Sequence, residues 1–392
     1  MGDPRTRGVS PIPVAHRVRS YSAMPELFVR RGEVLALRLF DVAYSIDLAS
    51  AEALYASHAK ARSDRSRLTQ VAEKAISFGD PPVLFRMGSL DLDIGGSITA
   101  VHVSVRLYDF GVVAITLRIP VLDQPWSGLE RLVEAVQTAV GPVASTPVWR
   151  EVLDRTLAIV GPALVRPTPA TLQEDYLIAV AHTLSESLSA TALQQRVDLA
   201  ALLSGERRKL AEGEKRELLK QSYSYFDDDL VVLTWDRAFI YDPEGNPDVA
   251  DVIEVANAQL LEFRYYDESL DDELPRMYDQ VEAARRGPFA APRFARLARS
   301  LYTLVAEVTE LTEKVDNALQ VTEDVYLARI YSSALELFRV PKLVAAVDRK
   351  LSIVRDTYTA LYEEASSSRA ELLELAIVVL IVIEIILGIA RL

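Results

Sequence analysis

A chain of 392 residues has room for two to three domains at about 150 residues each, and its 50% hydrophobic and 25% charged content excludes a mainly disordered or collagenous polymer. The net charge of −13 argues against a nucleic-acid partner, which needs a basic face to neutralise phosphates. With no cysteine, the chain has no disulfide framework, zinc-thiolate site, iron–sulfur cluster or cysteine nucleophile.

Residues 1–24 carry Arg5, Arg7, Arg17 and Arg19 against Asp3, with Pro4, Pro11 and Pro13 between them, and lack the apolar run of a signal peptide. They read as a disordered basic tail, with a transit peptide or a contact to anionic lipid as alternatives. Residues 25–185 read as an α+β head. Val34 to Asp41 alternates as a strand, and a polar, Ala-rich helical stretch lies within Ala43 to Phe78. Ile98 to Tyr108 and Val112 to Ile119 form a hairpin across Asp109-Phe110-Gly111. Helical patterns follow at Gly128 to Ala139 and Val148 to Val160, then a strand at Asp175 to Thr183. Strand, helix, two strands, helix, strand is the order of a ferredoxin-like split βαβ sandwich, here with one extra helix.

Residues 186–246 read as charged helices closed by a hairpin, Leu230 to Thr234 and Ala238 to Tyr241, with a turn at Asp242, Pro243, Gly245 and Asn246. Residues 247–371 read as a helical stalk that starts at Pro247, a favoured first helical residue, and breaks at Gly287-Pro288. Phe294, Leu297, Leu301, Leu304, Val308, Leu311 and Val315 step by three and four, as do Val347, Leu351, Val354, Tyr358, Leu361 and Ala365. Such seams are what coiled-coil packing requires. The short break at Phe338-Arg339-Val340-Pro341 predicts an antiparallel helical hairpin, with packing between chains as the alternative.

Residues 372–392 read as one C-terminal transmembrane helix. As a helix the segment is about 32 Å long against about 30 Å of hydrocarbon. The twelve Leu, Ile and Val residues between Leu375 and Ala390 favour insertion by about 5 kcal/mol in sum, against about 3 for one central acid. That acid, Glu384, is expected to hydrogen-bond between helices when protonated. With no export signal, the expected location is the cytoplasmic membrane, single-pass, with the bulk of the chain in the cytoplasm and the lipid bilayer as a partner.

The search for chemistry yields little. His16, His58, His102 and His182 stand at no helical metal-ligand spacing; His102 and His182 sit on different strands and would need to meet across a sheet. Asp109-Phe110-Gly111 spells the kinase magnesium tripeptide without its companion motifs and reads as a hairpin turn. Glycine-rich phosphate loops, the nucleophile elbow and the H-E-x-x-H helix are all absent from the sequence. Asp227, Asp228 and Asp229, like Asp91 and Asp93, read as solvated turns, with a divalent cation as the alternative. Arg207, Arg208, Lys209, Lys215 and Arg216 alternate with glutamates as helix support, with an RNA or lipid contact as the alternative. No catalytic residue, metal or cofactor is expected.

Ser224 to Tyr241 (SYFDDDLVVLTWDRAFIY), Leu260 to Leu270 (LLEFRYYDESL), Val347 to Tyr358 (VDRKLSIVRDTY), the terminal Leu373-Glu374 with the Glu384 segment, and Leu107 to Pro120 (LYDFGVVAITLRIP) resemble the "required for meiotic nuclear division" family, also called YagE-like. The likeness covers residues 30 to 392 and is more specific in the C-terminal half. It implies a membrane-attached protein with a C-terminal span and a helical stalk, similar in its eukaryotic members to inner-mitochondrial-membrane proteins that support mitochondrial translation through homo-oligomers, and it brings no catalytic residues; the basic N-terminus is weak as a transit peptide, so a bacterial setting is expected. The expected function is a non-enzymatic, membrane-anchored homo-oligomeric scaffold or assembly protein with an unidentified protein partner. The competing expectations are an ion-conducting oligomer, CorA-like in outline, using a ring of Glu384, and an enzyme with its site in the head.

Overall fold

The computed structural model describes residues 25–59, 64–65, 81–206, 208–285, 293–299, 301–303, 305–306, 308–309 and 324–390. The basic tail 1–24, the Gly287-Pro288 break, Arg207, Leu304, Leu311 and Val315 lie outside them.

Runs of β-branched and large aliphatic residues place most of the chain's first 241 residues around one sheet. Its strands are β1 (Phe28–Asp41), β3 (Asp64–Arg65), β4 (Val83–Ile94), β5 (Ser97–Leu107), β6 (Val112–Pro125), β8 (Gln173–Leu184), β9 (Ser222–Tyr223), β10 (Leu230–Leu233) and β11 (Arg237–Tyr241); β2 (Ala43–Ile46) and β7 (Leu164–Pro167) pair separately. The order is β3-β4-β5-β6-β1-β8-β11-β10-β9. Neighbours are antiparallel except β8 and β11, which run parallel. A parallel pair needs a long crossover. Here it is supplied by α4 (Ala190–Arg196), α5 (Leu199–Ser204), α6 (Glu212–Leu218), β9 and β10.

Alternation along β1 shows why both faces are covered. Val34, Ala36 and Phe40 enter one core with helices α1 (Leu48–Ala59), α2 (Trp126–Val140) and α3 (Val148–Val160). Leu35, Leu37 and Leu39 enter another with α7 (Asp248–Arg285), α8 (Val325–Leu337) and α9 (Val340–Ala390). Helix α2 buries Trp126, Leu129, Val133, Val136 and Val140 at helical spacing, each worth about 1.5–3 kcal/mol. The region expected as a stalk opens with α7, whose residues from Val249 to Leu270 pack into the second core.

The structure corrects the expected fold in two ways. First, the architecture is α+β with a large mixed sheet rather than a four-stranded ferredoxin-like sandwich. The four expected strands occupy its centre in the order β5-β6-β1-β8, and the parallel addition of β11 on one side and the β4–β5 hairpin on the other extend it. Second, among the described residues no helix is long and apolar enough to cross a membrane, which overturns the transmembrane helix expected at 372–392. The single-pass cytoplasmic-membrane location expected from that span is corrected with it.

Two turns fix the geometry. Gly111 closes the β5–β6 hairpin at φ +94°, and a Cβ there would overlap the Ala43 carbonyl. Gly111→Ala is therefore expected to cost about 2–4 kcal/mol, read as a shift in the urea midpoint. At the α8–α9 reversal, Arg339 takes φ 59° and its guanidinium lies 5.6 Å from the Trp235 ring. Phe338 meets Tyr176 edge-on at 5.5 Å, which seats the reversal on the sheet.

Candidate functional site

The residues expected to mediate oligomerisation fall in different places. Leu297 and Leu301 are buried in a small core with Met277, Phe294, Val354 and Leu361 of the same chain, and Val308 is buried in the second core beneath α7. Leu304, Leu311 and Val315 are not among the described residues. Glu384 is exposed, within a run of exposed residues from Ile377 to Ile386 whose other members are all Ile, Val or Leu.

One buried charged cluster is a clamp between sheet and helix. The Arg106 guanidinium on β5 donates to Glu254 Oε1 at 3.0 Å and to Asp251 Oδ1 at 2.8 Å, both on α7. The Tyr108 hydroxyl donates to the same Glu254 oxygen at 2.9 Å, and Thr116 reaches its other oxygen at 3.4 Å. Burial works to lower the Arg106 pKa, but Asp251 and Glu254 outweigh it and hold the guanidinium well above its ordinary value. All three charges are committed to docking α7. Beyond the helix the same sheet face turns polar: Arg118 pairs with Glu33, and His182 Nε2 stands 3.9 Å from Glu33. His102 instead meets the Ser89 hydroxyl at 2.8 Å. β6 and β1 separate β5 from β8, and the register puts His102 level with Ile178, four residues from His182, so the two histidines stand roughly 20 Å apart, three strand spacings across and four residues along. The basic stretch is partly spent within the fold, since Lys215 pairs with Asp198 at 2.5 Å.

A second cluster forms where four loops and helix starts converge. A cavity of about 330 Å³ is lined by Asp228 and Asp229 before β10, Asp242 and Glu244 after β11, Asp248 at the start of α7 and Asp324 at the start of α8, together with Tyr225, Phe226 and Tyr326. Asp229 accepts from the backbone N–H groups of Tyr225 and Phe226 at 2.7 and 3.1 Å. Asp242 accepts from those of Glu244 and Asn246 at 2.9 and 2.8 Å, folding the turn that launches α7. Asp324 caps α8 through Tyr326 and Leu327 at 2.8 and 3.2 Å. Burial, and then Asp251, push the Asp248 carboxyl up to about 6. Burial, and then Asp229, raise the Tyr326 hydroxyl above its ordinary value. The sequence singled out Asp228 and Asp229 as a solvated turn; the other acids come from distant positions and carried no joint signal. Among the described residues, no three His, Cys, Asp or Glu side chains are placed to hold one metal ion.

Comparison with known proteins settles kinship. A family model described as uncharacterized protein MJ0711, N-terminal domain, matches residues 31–248, more than half of the chain. The chain belongs to the MJ0711 N-terminal domain family. Its matched region runs from β1 to the first residue of α7, so it contains every cavity residue named above except Asp324 and Tyr326. A relative, the uncharacterized protein MJ0711 of Methanocaldococcus jannaschii, is 28% identical over 194 residues, 49% of this chain and 59% of the relative. The chain thus spans less than two thirds of that relative's length. No solved structure matches.

Proposed function

We propose that the chain is a non-enzymatic assembly protein, a helix-covered sheet whose copies associate through the C-terminal half of α9. The observation that carries this reading is the run Ile377–Ile386, in which all but Glu384 are apolar and every residue is exposed. A helix apolar on all sides is unstable alone in water. Burying about five such side chains per copy yields roughly 7–15 kcal/mol of gross stabilisation, enough to meet an association cost of about 4–15 kcal/mol. A second copy is the natural occupant because it brings the same uncovered run in register, with its own Glu384 at the same level. The described buried charges support a structural rather than catalytic body: Arg106 clamps α7, and Arg237 ties Glu134 and the Leu202 carbonyl together at 2.6 and 3.3 Å. The likeness of Ser224–Tyr241, Leu260–Leu270 and Val347–Tyr358 to the YagE-like family adds to the proposal, since that family's eukaryotic members are similar to proteins that act as homo-oligomers.

The test is co-purification of two differently tagged full-length copies. Wild-type copies are expected to co-purify, and Ile381→Lys combined with Ile385→Lys to abolish it. Both positions are exposed in the single chain, so the double variant should keep the wild-type far-ultraviolet circular dichroism spectrum while losing the stability that association adds. Undiminished pairing in the double variant, or capture only of some other protein, contradicts the reading.

A further inference from the structure

Where β4, β5 and β6 lie side by side, the sheet face carries the exposed side chains of Arg86, Ser89 and His102. A cavity of about 480 Å³ lies there, and its polar lining is Arg86, Ser89, His102, Ser104 and Arg118. Among the described residues no aspartate or glutamate lines it. Four other cavities of the molecule are each lined by three or more acids, in keeping with a net charge of −13. Here the local charge is inverted. Arg118 gives Nη1 to Glu33 of the adjoining cavity, and its side chain remains 41% exposed.

The backbone of β4 supplies an independent observation. Alternate residues of a strand share a face, yet Arg86 and Ser89, three positions apart, stand opposite Ser104 and His102, which share one. A bulge between Arg86 and Gly88 shifts the register and turns Ser89 onto this side. Gly88 lines the cavity at φ +85°, and a Cβ there would meet nothing within 4 Å. The Tyr55 hydroxyl donates to the Arg86 carbonyl at 2.6 Å, with its ring stacked on Phe85 at 4.0 Å, so the bulge is held in place from the core. It sets the Ser89 hydroxyl 2.8 Å from His102 Nδ1; with the hydroxyl donating, the ring proton sits on Nε2 as a further donor. His102 is in register with Arg118. The two arginines thus enter from β4 and β6, about 10 Å apart across two strand spacings, with hydroxyls between them. Guanidinium forks and hydroxyls from several directions suit a tetrahedral oxyanion, whereas one carboxylate would occupy a single fork. The volume suits one small ligand, and the chain's net charge repels a polyanion.

We propose that this cavity binds the phosphate group of a small phosphomonoester, with Arg86 and Arg118 closing on it from the two outer strands and Ser89, His102 and Ser104 between them. Isothermal titration of the full chain at constant ionic strength with glycerol phosphate, acetate and a short single-stranded oligonucleotide tests it. Glycerol phosphate is expected to saturate one site per chain, to bind more tightly than either other probe, and to lose about ten-fold or more in affinity in Arg86→Gln and in Arg118→Gln. It should also shift the His102 imidazole resonance, identified by its loss in His102→Ala, and leave that of His58 in place. That shift is read on the wild-type fold, so the proposal stays falsifiable if Arg118→Gln, by stranding Glu33, perturbs folding. The proposal is overturned if glycerol phosphate does not saturate, if acetate or the oligonucleotide binds as tightly, if Arg86→Gln binds like wild type, or if the His102 resonance does not move.

Discussion

Replacing Arg106 by methionine should destabilise the protein by about 3–5 kcal/mol, the range for breaking a buried ion pair from one side. The guanidinium side chain is 8% exposed and those of its partners Asp251 and Glu254 are 16% and 7% exposed. Methionine fills most of the volume but leaves two carboxylates facing each other and the Tyr108 hydroxyl under α7. Much of the loss therefore comes from the stranded acids, and Arg106→Met with Glu254→Met should recover part of it. Urea unfolding followed by tryptophan emission, to which the buried Trp126 and Trp149 and Trp235, 6.3 Å from Phe338, all contribute, measures the loss. A loss below about 1 kcal/mol for Arg106→Met would place the pair among weak surface bridges and refute the clamp.

Stability should fall as pH rises through neutrality, and Asp41→Asn should remove much of that fall. Asp41 is 3% exposed, and burial raises its carboxyl to about 7 against a partly opposing hydrogen bond from the Ala43 N–H. In the unfolded chain it returns to about 3.9. The folded state thus holds the proton more tightly: the contribution is fully present below about pH 4, and is lost as pH rises to about 7. Roughly three pKa units correspond to about 4 kcal/mol as an upper bound. Glu262, whose carboxyl burial and then Asp41 raise well above the usual range, and Asp248 at about 6 act in the same direction. Unfolding at pH 5 and pH 8 checks this. Wild type should be clearly weaker at pH 8, and Asp41→Asn should be about 2 kcal/mol more stable than wild type there. No gain at pH 8 would mean that the folded protein does not raise the Asp41 carboxyl above its ordinary range.

The centre of the sheet was legible because β1, β5, β6 and β8 are long β-branched runs with a two-sided pattern. β4 was not, because half of it is exposed and its polar positions hide the alternation. The Gly95-Gly96 pair was nevertheless a usable hairpin signal: Ile94 pairs with Ser97 across it, and both glycines take positive φ, 63° and 84°. The helical stretch expected within Ala43 to Phe78 is found at Leu48–Ala59, and the short strand Ala43–Ile46 before it carried no signal because its pairing to Leu164–Pro167 is non-local. Residues 186–246 read as charged helices closed by a hairpin, without boundaries between the helices; Ser189 and Asp198 cap separate helices at Ala192 and Ala201, and Gly205 ends α5 in the left-handed region. Those cap residues were visible in the sequence. The acidic cavity was not, because Asp242, Asp248 and Asp324 reach Asp228 only once β11 pairs with β8 and α8 docks beside α7. At the C-terminus, summed hydropathy read 372–392 as one span, whereas among the described residues no helix is long and apolar enough to cross a membrane.

The most direct test of assembly through α9 is the mass of the intact chain at sedimentation equilibrium in aqueous buffer, over a hundred-fold range of concentration. The assembly reading predicts a discrete species at an integral multiple of 43.5 kDa, reduced to one copy by Ile381→Lys with Ile385→Lys. A wild-type chain that remains at 43.5 kDa across the whole range contradicts it.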